Sequence, residues 1–413
     1  MKRVVITGLS VVSPLGCEKE MFWQRLMRGE SGIGTLTKLD ATLYPRPLAA
    51  EVSGWEQLPE SQDESLLPFG QAVAYTVAAS RMALEDAQLN NPENSNDFGV
   101  IVGTTMGNQD IVERVIDKYS LTEESTADAI LADELDYFSP AILSAEIAKR
   151  FGFQGSSMTL ANACAAGNYS VGLAFDRIRT GRNSVILAGG ADPFSRTCYT
   201  IFHRLNASTA ERCQPFDKDR DGMVVGEGAA MLVLEDYDHA VARGAHIYAE
   251  VKGYSLTCDA HHATAPHPEG EGAVMAMNEA LSMASLTPSD IDYVSAHGTG
   301  TPANDVSEAI ALHTVFGDSL SQTPVSSIKS MLGHCMGAAS AIEAAVCAMA
   351  IERQMLPPTI NTSNIDPAFP VAFDVVPSEG RQADVTHILS NAFAFGGNVS
   401  SVIFSQLDKG TQS

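Results

Sequence analysis

Three side chains in this sequence combine acyl-transfer chemistry with a place where such chemistry can be staged. Cys164 lies in Ala161-Asn162-Ala163-Cys164-Ala165-Ala166-Gly167-Asn168. It follows a β-like run over Ser156 to Leu160 and precedes a segment in which Val171, Ala174, Phe175 and Ile178 recur at helical spacing until Thr180-Gly181 closes it. A thiol at a helix N-terminus meets unpaired backbone N–H groups and the positive end of the macrodipole, which favour the thiolate. Small neighbours leave room for a carbonyl to approach. Taken alone, a cysteine reads more readily as a small buried hydrophobe. Two histidines weigh against that. His297 stands where Tyr293-Val294-Ser295-Ala296 runs into Gly298-Thr299-Gly300-Thr301, and His334 ends Val325-Ser326-Ser327-Ile328-Lys329-Ser330-Met331-Leu332-Gly333 before a long apolar helix. Both leave a strand at its C-terminal end, the edge of an α/β sheet where ligand sites assemble.

The strings Cys164-Ala165-Ala166-Gly167, His297-Gly298-Thr299-Gly300-Thr301-Pro302, Lys329-Ser330-Met331-Leu332-Gly333-His334 and Phe393-Ala394-Phe395-Gly396-Gly397-Asn398 occur in that order. In sequence and order they resemble the active-site motifs of the elongating, synthase-II type β-ketoacyl-acyl-carrier-protein synthases. The resemblance runs nearly end to end, from Arg3-Val4-Val5-Ile6-Thr7-Gly8 through Pro215-Phe216-Asp217 and Arg220-Asp221-Gly222 to Val402-Ile403-Phe404. It implies an α/β, thiolase-like fold of two similar halves, and a decarboxylative Claisen condensation between a Cys164-bound acyl chain and malonyl-acyl carrier protein in fatty acid or type II polyketide elongation.

Within that resemblance each motif acquires a role. Cys164 accepts the acyl chain as a thioester, and His297 and His334 hydrogen-bond the malonyl thioester oxygen and stabilise the enolate left by CO2. The backbone N–H groups of Cys164 and Phe395 form the oxyanion hole, and Gly396 and Gly397 permit the close backbone approach. Lys329, five residues before His334, and Glu308, eleven after His297, support the histidines or form an ordinary buried ion pair. Thr299 and Thr301 hold the pantetheine and malonyl groups. Phe393 and Ala394 belong to the loop that gates the acyl pocket, and Met106 to the acyl channel. No metal or redox cofactor is implied, since phosphopantetheine arrives on the carrier protein. The second subunit of a dimer is an identical chain or a chain-length-factor-like homologue. Two other classes share the fold: a non-catalytic chain-length partner, which usually lacks the nucleophile, and a thiolase or ketoacyl-CoA synthase, which uses a different Cys and His set.

The chain departs from the elongating pattern Gly-Phe-Gly-Gly-Thr-Asn, reading Ala394-Phe395-Gly396-Gly397-Asn398-Val399. Loss of the first glycine is expected to remove left-handed backbone angles from the gating loop, and the flexible thioether of Met106 to suit unusual chains. Both point to a specialised substrate such as a polyene.

Other constellations are weaker. Asp217-Lys218-Asp219-Arg220-Asp221-Gly222 opens like a calcium loop, but Gly228 stands where the bidentate Glu belongs. Cys258, His261, His262 and His267 match no zinc spacing. Gly189-Gly190 and Gly396-Gly397 lack any nucleotide-binding pattern.

The elements that must position the site alternate along the chain. Strands are predicted at Val4 to Gly8, Phe98 to Gly103, Ser184 to Gly189 and Ala229 to Glu235, with helices near Phe69 to Ala87, Pro140 to Phe151 and Asn168 to Arg179. The rhythm repeats in strands near Ile247 to Ser255, Tyr293 to Ala296, Pro324 to Ser327, His387 to Asn391 and Ser400 to Ser405, with helices near Ala273 to Ala284, Asn304 to Phe316 and Gly337 to Gln354. Such alternation means mixed sheets covered by helices. It divides the chain into 1–246, carrying the nucleophile, and 247–413, carrying both histidines. A length of 413 residues with 45% hydrophobic content suits two such units. The apolar stretch Met336 to Ile351 contains Glu343 and is too short for a membrane span. Seven cysteines without paired spacing, and no apolar leader after Met1, suggest the cytoplasm. A net charge of −24 argues against nucleic acid. It also opposes an acidic carrier protein at long range, so docking would need a local basic patch, for which Arg204, Arg212, Lys218 and Arg220 are candidates.

Overall fold

The computed structural model describes residues 1–89, 95–120, 135–370 and 373–407. Runs such as Val4-Val5-Ile6, Val100-Ile101-Val102 and Val185-Ile186-Leu187 are apolar at consecutive positions and buried on both faces, the signature of strands covered by helices above and below. Five strands build the first unit: β1 (Val4–Val12), β2 (Gly99–Gly103), β3 (Ser157–Leu160), β4 (Val185–Asp192) and β5 (Gly228–Asp236). Five more, with a two-residue edge strand Asp374–Val375 beside β8, build the second: β6 (Ala249–Cys258), β7 (Tyr293–Ser295), β8 (Pro324–Ser326), β9 (His387–Phe393) and β10 (Asn398–Ser405).

The two units repeat one topology. The first orders its strands β3-β2-β4-β5-β1 and the second β8-β7-β9-β10-β6. In each, the fifth strand in sequence runs antiparallel to both neighbours while the second pairs in parallel on either side. The units join edge to edge through antiparallel pairing of β1 with β6, with Val4 opposite Val251 and Ile6 opposite Ala249.

The helices that frame the site are α1 (Gly70–Asp86), α2 (Ile142–Phe151), α3 (Ala166–Arg179), α4 (Arg196–Arg204), α5 (Glu271–Ala284), α6 (Pro302–Phe316) and α7 (Ala339–Arg353). Helix α1 covers β1, β4 and β5 from outside, and α5 covers β6 and β10. Helices α3 and α7 pack on each other and touch strands of both units, forming the middle layer. Every residue of α7 from Ala339 to Ile351 is buried, as a helix packed against the strands of both units requires. The arrangement is the thiolase-like, layered α/β fold of two similar halves that the resemblance implies.

Close approach of α3 and α7 depends on side chains being absent. A Cβ on Gly167 of α3 would lie 2.4 Å from the backbone nitrogen of Ala341 on α7. Since both sides of that contact are backbone in a dense interior, neither yields cheaply. Among the described residues, no helix is long and apolar enough to cross a membrane, and all seven cysteines are free thiols.

Gly167→Ala should therefore lower the free energy of unfolding by about 1–3 kcal/mol, read as a reduced urea midpoint at unchanged slope. A midpoint equal to that of the unsubstituted protein would mean that α3 and α7 are not in this contact.

Candidate active site

Corresponding turns of the two units build the site. After β3 the chain passes through Ala163, whose φ of 49° is left-handed, into a 3-10 turn Ala163–Ala165 and then α3. After β8 it passes through His334 and Met336, whose φ is 52°, into a 3-10 turn Met336–Ala338 and then α7. A non-glycine residue held left-handed stores strain that the surroundings must maintain. The first turn presents Cys164, and the matching position of the second is Gly337. Asp192, at the end of β4, ties the two together. Its buried carboxylate accepts hydrogen bonds from Thr104 Oγ1 at 2.8 Å and from the backbone N–H groups of Thr105 at 2.7 Å, Met106 at 2.8 Å and Gly337 at 2.6 Å.

Cys164, His297 and His334 line one pocket of about 360 Å³, together with Thr299, Thr301, Phe393, Ala394, Phe395 and Gly397. The imidazoles stand edge to face with ring centres 5.3 Å apart, and Phe393 packs edge-on against His297 at 5.6 Å. Thr299 and Thr301 share a hydroxyl hydrogen bond of 2.8 Å. Phe395 faces Phe202 of α4 at 5.4 Å. Gly396 sits at the outer side of this loop, its N–H donating to the Ala263 carbonyl at 2.8 Å.

Beneath the pocket the supporting charges divide differently from the sequence expectation. Glu308 supports His297 through the backbone, accepting from the N–H groups of His297 at 2.8 Å and Gly298 at 2.7 Å. Lys329 pairs instead with Glu343 of α7, both side chains being 2% exposed. Removing one partner of such a pair strands the other charge, at about 3–5 kcal/mol. Burial, followed by the nearby Lys329 cation, holds His297 well below the usual histidine range, and the same two causes act on His334. Both rings are neutral at pH 7. Neither Nδ1 meets a hydrogen-bond partner among the described residues, so no protein acceptor fixes the tautomer.

The expected thiolate is corrected. Burial, with the Asp192 carboxylate adding to it, pushes the Cys164 thiol up to about 12 against the opposing pull of Lys329 and a backbone N–H. Cys164 is 4% exposed, and desolvation outweighs the helix end. The glycine argument at Ala394 is also corrected: this residue is extended, with φ −144° and ψ 157°, so no left-handed angle is needed there. The positive φ values fall at Gly396 and Gly397, 79° and 76°. Met106 packs in the apolar cluster that contains Cys164 and does not line the pocket.

The weaker constellations resolve structurally. Asp217 spends its carboxylate on the N–H groups of Asp219, Ser363 and Asn364. No grouping of His, Cys, Asp and Glu among the described residues could hold a metal; the loop carrying His261, His262 and His267 instead contributes Thr264, Ala265 and Pro266 to the pocket wall. Arg204, Arg212 and Lys218 are exposed, whereas Arg220 is buried and paired with Asp366 at 2.6 Å, which removes it from any docking patch. Sequence reasoning missed helix α4, though Ser195 caps it through Cys198 N–H and Tyr199 and Phe202 recur at helical spacing. It also missed Asp192 and passed over Glu343 as a pairing partner. A lone carboxylate in an apolar helix was the available signal.

Comparison with known proteins places these motifs in a family. Residues 1–240 match the beta-ketoacyl synthase N-terminal domain and residues 248–363 the beta-ketoacyl synthase C-terminal domain. The chain is 36% identical over 413 residues to 3-oxoacyl-[acyl-carrier-protein] synthase 2 of Synechocystis sp., covering 98% of each protein. Its fold is similar to a solved structure described as the ishigamide ketosynthase/chain length factor, with 39% identity, a TM-score of 0.92, and coverage of 98% of this chain and 99% of that one. It is also similar to AntDE:AntF, a type II polyketide synthase acyl-carrier protein in complex with its ketosynthase bound to the hexaketide. There the identity is 30%, the TM-score 0.90 and the coverage 98% and 100%.

A thiol raised by burial makes a specific demand on reactivity. Alkylation of Cys164 by iodoacetamide should climb about tenfold per pH unit from 7 to 10, because only the thiolate reacts. Rates followed by intact mass check this, and a plateau reached below pH 8 would mean a resting thiolate.

Proposed function

The chain belongs to the β-ketoacyl synthase family, and we propose that Cys164, His297 and His334 are the residues that carry its reaction, the condensation forming β-ketoacyl-acyl carrier protein in fatty acid or polyketide elongation. The observation that carries this reading is their convergence in one pocket. The nucleophile comes from the first unit and both neutral imidazoles from the second.

In the first step Cys164 Sγ attacks the thioester carbonyl of the acyl carrier protein. A C–S bond to Cys164 forms, the C–S bond to the pantetheine arm breaks, and the proton given up by Cys164 goes to the departing carrier thiol. Because the thiol is neutral at rest, that proton has to move as the bond forms, passing to the departing carrier thiolate. In the second step malonyl-acyl carrier protein loses CO2. The electron pair of the broken C–C bond passes to the thioester oxygen, where ring N–H groups of His297 and His334 stabilise the enolate. The buried Lys329 cation favours negative charge in the pocket and disfavours imidazolium, so it keeps both rings neutral while stabilising the anion they face. The enolate carbon then attacks the acyl carbonyl, whose developing oxyanion is held by the N–H groups of Cys164 and Phe395. The Cys164 thiolate leaves and takes a proton from solvent.

Thr299 and Thr301, hydrogen-bonded to each other on the pocket wall, are placed to receive the pantetheine arm. Exposed Arg204, Arg212 and Lys218 supply local positive charge to an acidic carrier protein. The second subunit is a like chain or a chain-length-factor-like homologue, a pairing suggested by the ishigamide relative. The reaction is assigned to the cytoplasm, where free thiols persist. A non-catalytic chain-length role is disfavoured by the intact nucleophile, and a thiolase role by the pairing of two histidines with Lys329.

Cys164→Ala should abolish acyl loading while leaving the fold intact. His297→Ala and His334→Ala should load Cys164 at near-normal rates but lose about 100-fold or more in malonyl decarboxylation and product. Intact-mass analysis after incubation with acyl and then malonyl carrier protein reads both steps. Loading by Cys164→Ala would overturn the nucleophile, and failure of both histidine variants to load would reassign the imidazoles to activating Cys164.

A further inference from the structure

The two backbone N–H donors assigned to the oxyanion hole belong to different parts of the fold. One is in the turn after β3 and the other in the loop between β9 and β10, so something must fix their separation. Asn398, the first residue of β10, touches both. Its Nδ2 donates to the Phe395 carbonyl at 3.2 Å. Its Oδ1 accepts from Asn162 Nδ2 at 3.5 Å, two residues before Cys164, and from the Tyr169 hydroxyl of α3 at 3.3 Å. The tyrosine shares that hydroxyl with the Thr257 carbonyl at 3.4 Å. The Asn398 carbonyl also accepts from Ala394 N–H at 2.8 Å, closing the loop that carries Phe395.

From this bridge we infer that Asn398 is a positioning residue that sets the spacing between the Cys164 and Phe395 N–H donors; the inference rests on the condensing role proposed above. An amide suits the task because one end donates and the other accepts. Thr, which the elongating pattern carries here, has a single short hydroxyl and cannot span both partners. The bridge also restrains a turn under strain: Asn162 precedes Ala163, the residue held at φ 49°. On the loop side, the Phe395–Gly396 peptide is held at its N–H by the Ala263 carbonyl at 2.8 Å and at its carbonyl by the Asn398 amide, so losing the amide frees one of its two anchors. An oxyanion hole stabilises charge only if both donors are fixed where the oxyanion forms. Losing the bridge therefore lowers turnover and leaves substrate binding unchanged.

The test measures kcat and KM for malonyl-acyl carrier protein in Asn398→Ala, Asn162→Ala and the double variant, with thermal midpoints alongside. Asn398→Ala should lose about tenfold to a hundredfold in kcat with KM held within about twofold. The double variant should be no slower than Asn398→Ala, because both substitutions break one bridge. Tyr169→Phe, which deletes a single hydroxyl, should give a smaller kcat loss in the same direction and serves if Asn398→Ala does not fold. Unchanged kcat, a loss residing in KM, or additive losses in the double variant would overturn the assignment. An unsubstituted protein that yields no β-ketoacyl product would instead refute the condensing role itself.

Discussion

Four donors converge on the carboxylate of Asp192, three from Thr104, Thr105 and Met106 in the first half and one from Gly337 in the second. Burial raises this carboxyl to about 6, with the donated hydrogen bonds opposing the rise, so it is largely ionised at neutral pH and acts as a fixed acceptor between the repeats. A buried carboxylate is tolerated only where such donors compensate for lost water. Its position decides how the turn bearing Cys164 meets its duplicate: the backbone that presents the nucleophile in one unit presents Gly337 in the other, and a side chain there would have to displace Asp192 itself. The asymmetry of the site, with one nucleophile and two imidazoles, is thus imposed on a nearly symmetric frame.

The second determinant is electrostatic. Lys329 and Glu343 form a buried pair under the pocket, while Glu308 is satisfied by backbone N–H groups. The lysine's positive charge reaches Cys164 and both histidines, keeping the rings neutral and easing negative charge in the space they share. The resting state is consequently uncharged at the thiol and at both imidazoles. Charge develops only when substrate enters, which is the condition under which preorganised donors contribute most.

Much of this was legible in the sequence because the motifs that carry it are local. Cys164 and His297 follow closely on strands, His334 follows a helical turn (Lys329–Leu332) after one, and consecutive apolar runs such as Val100 to Val102 and Val185 to Leu187 mark buried strands. What escaped were features created by tertiary context. The helix-start argument for a thiolate at Cys164 used only neighbours in sequence and did not foresee the full enclosure and the Asp192 carboxylate. The partner of Lys329 could not be chosen from spacing, since Glu308 and Glu343 are both carboxylates in helices. The argument from the missing glycine at Ala394 failed because a glycine in a motif does not reveal which residue of the turn bears the positive φ. Helix α4 escaped because its short amphipathic run lies among polar residues.

A condensing enzyme loads an acyl chain and condenses it at a single centre. The most direct measurement follows the purified protein with acyl-acyl carrier protein and isotopically labelled malonyl-acyl carrier protein, counting labelled CO2 and β-ketoacyl product together. Equal amounts of both are expected, formed only after Cys164 has been acylated. Acylation of Cys164 without CO2 or product would contradict that expectation and leave this chain a binding subunit for a partner that performs the chemistry.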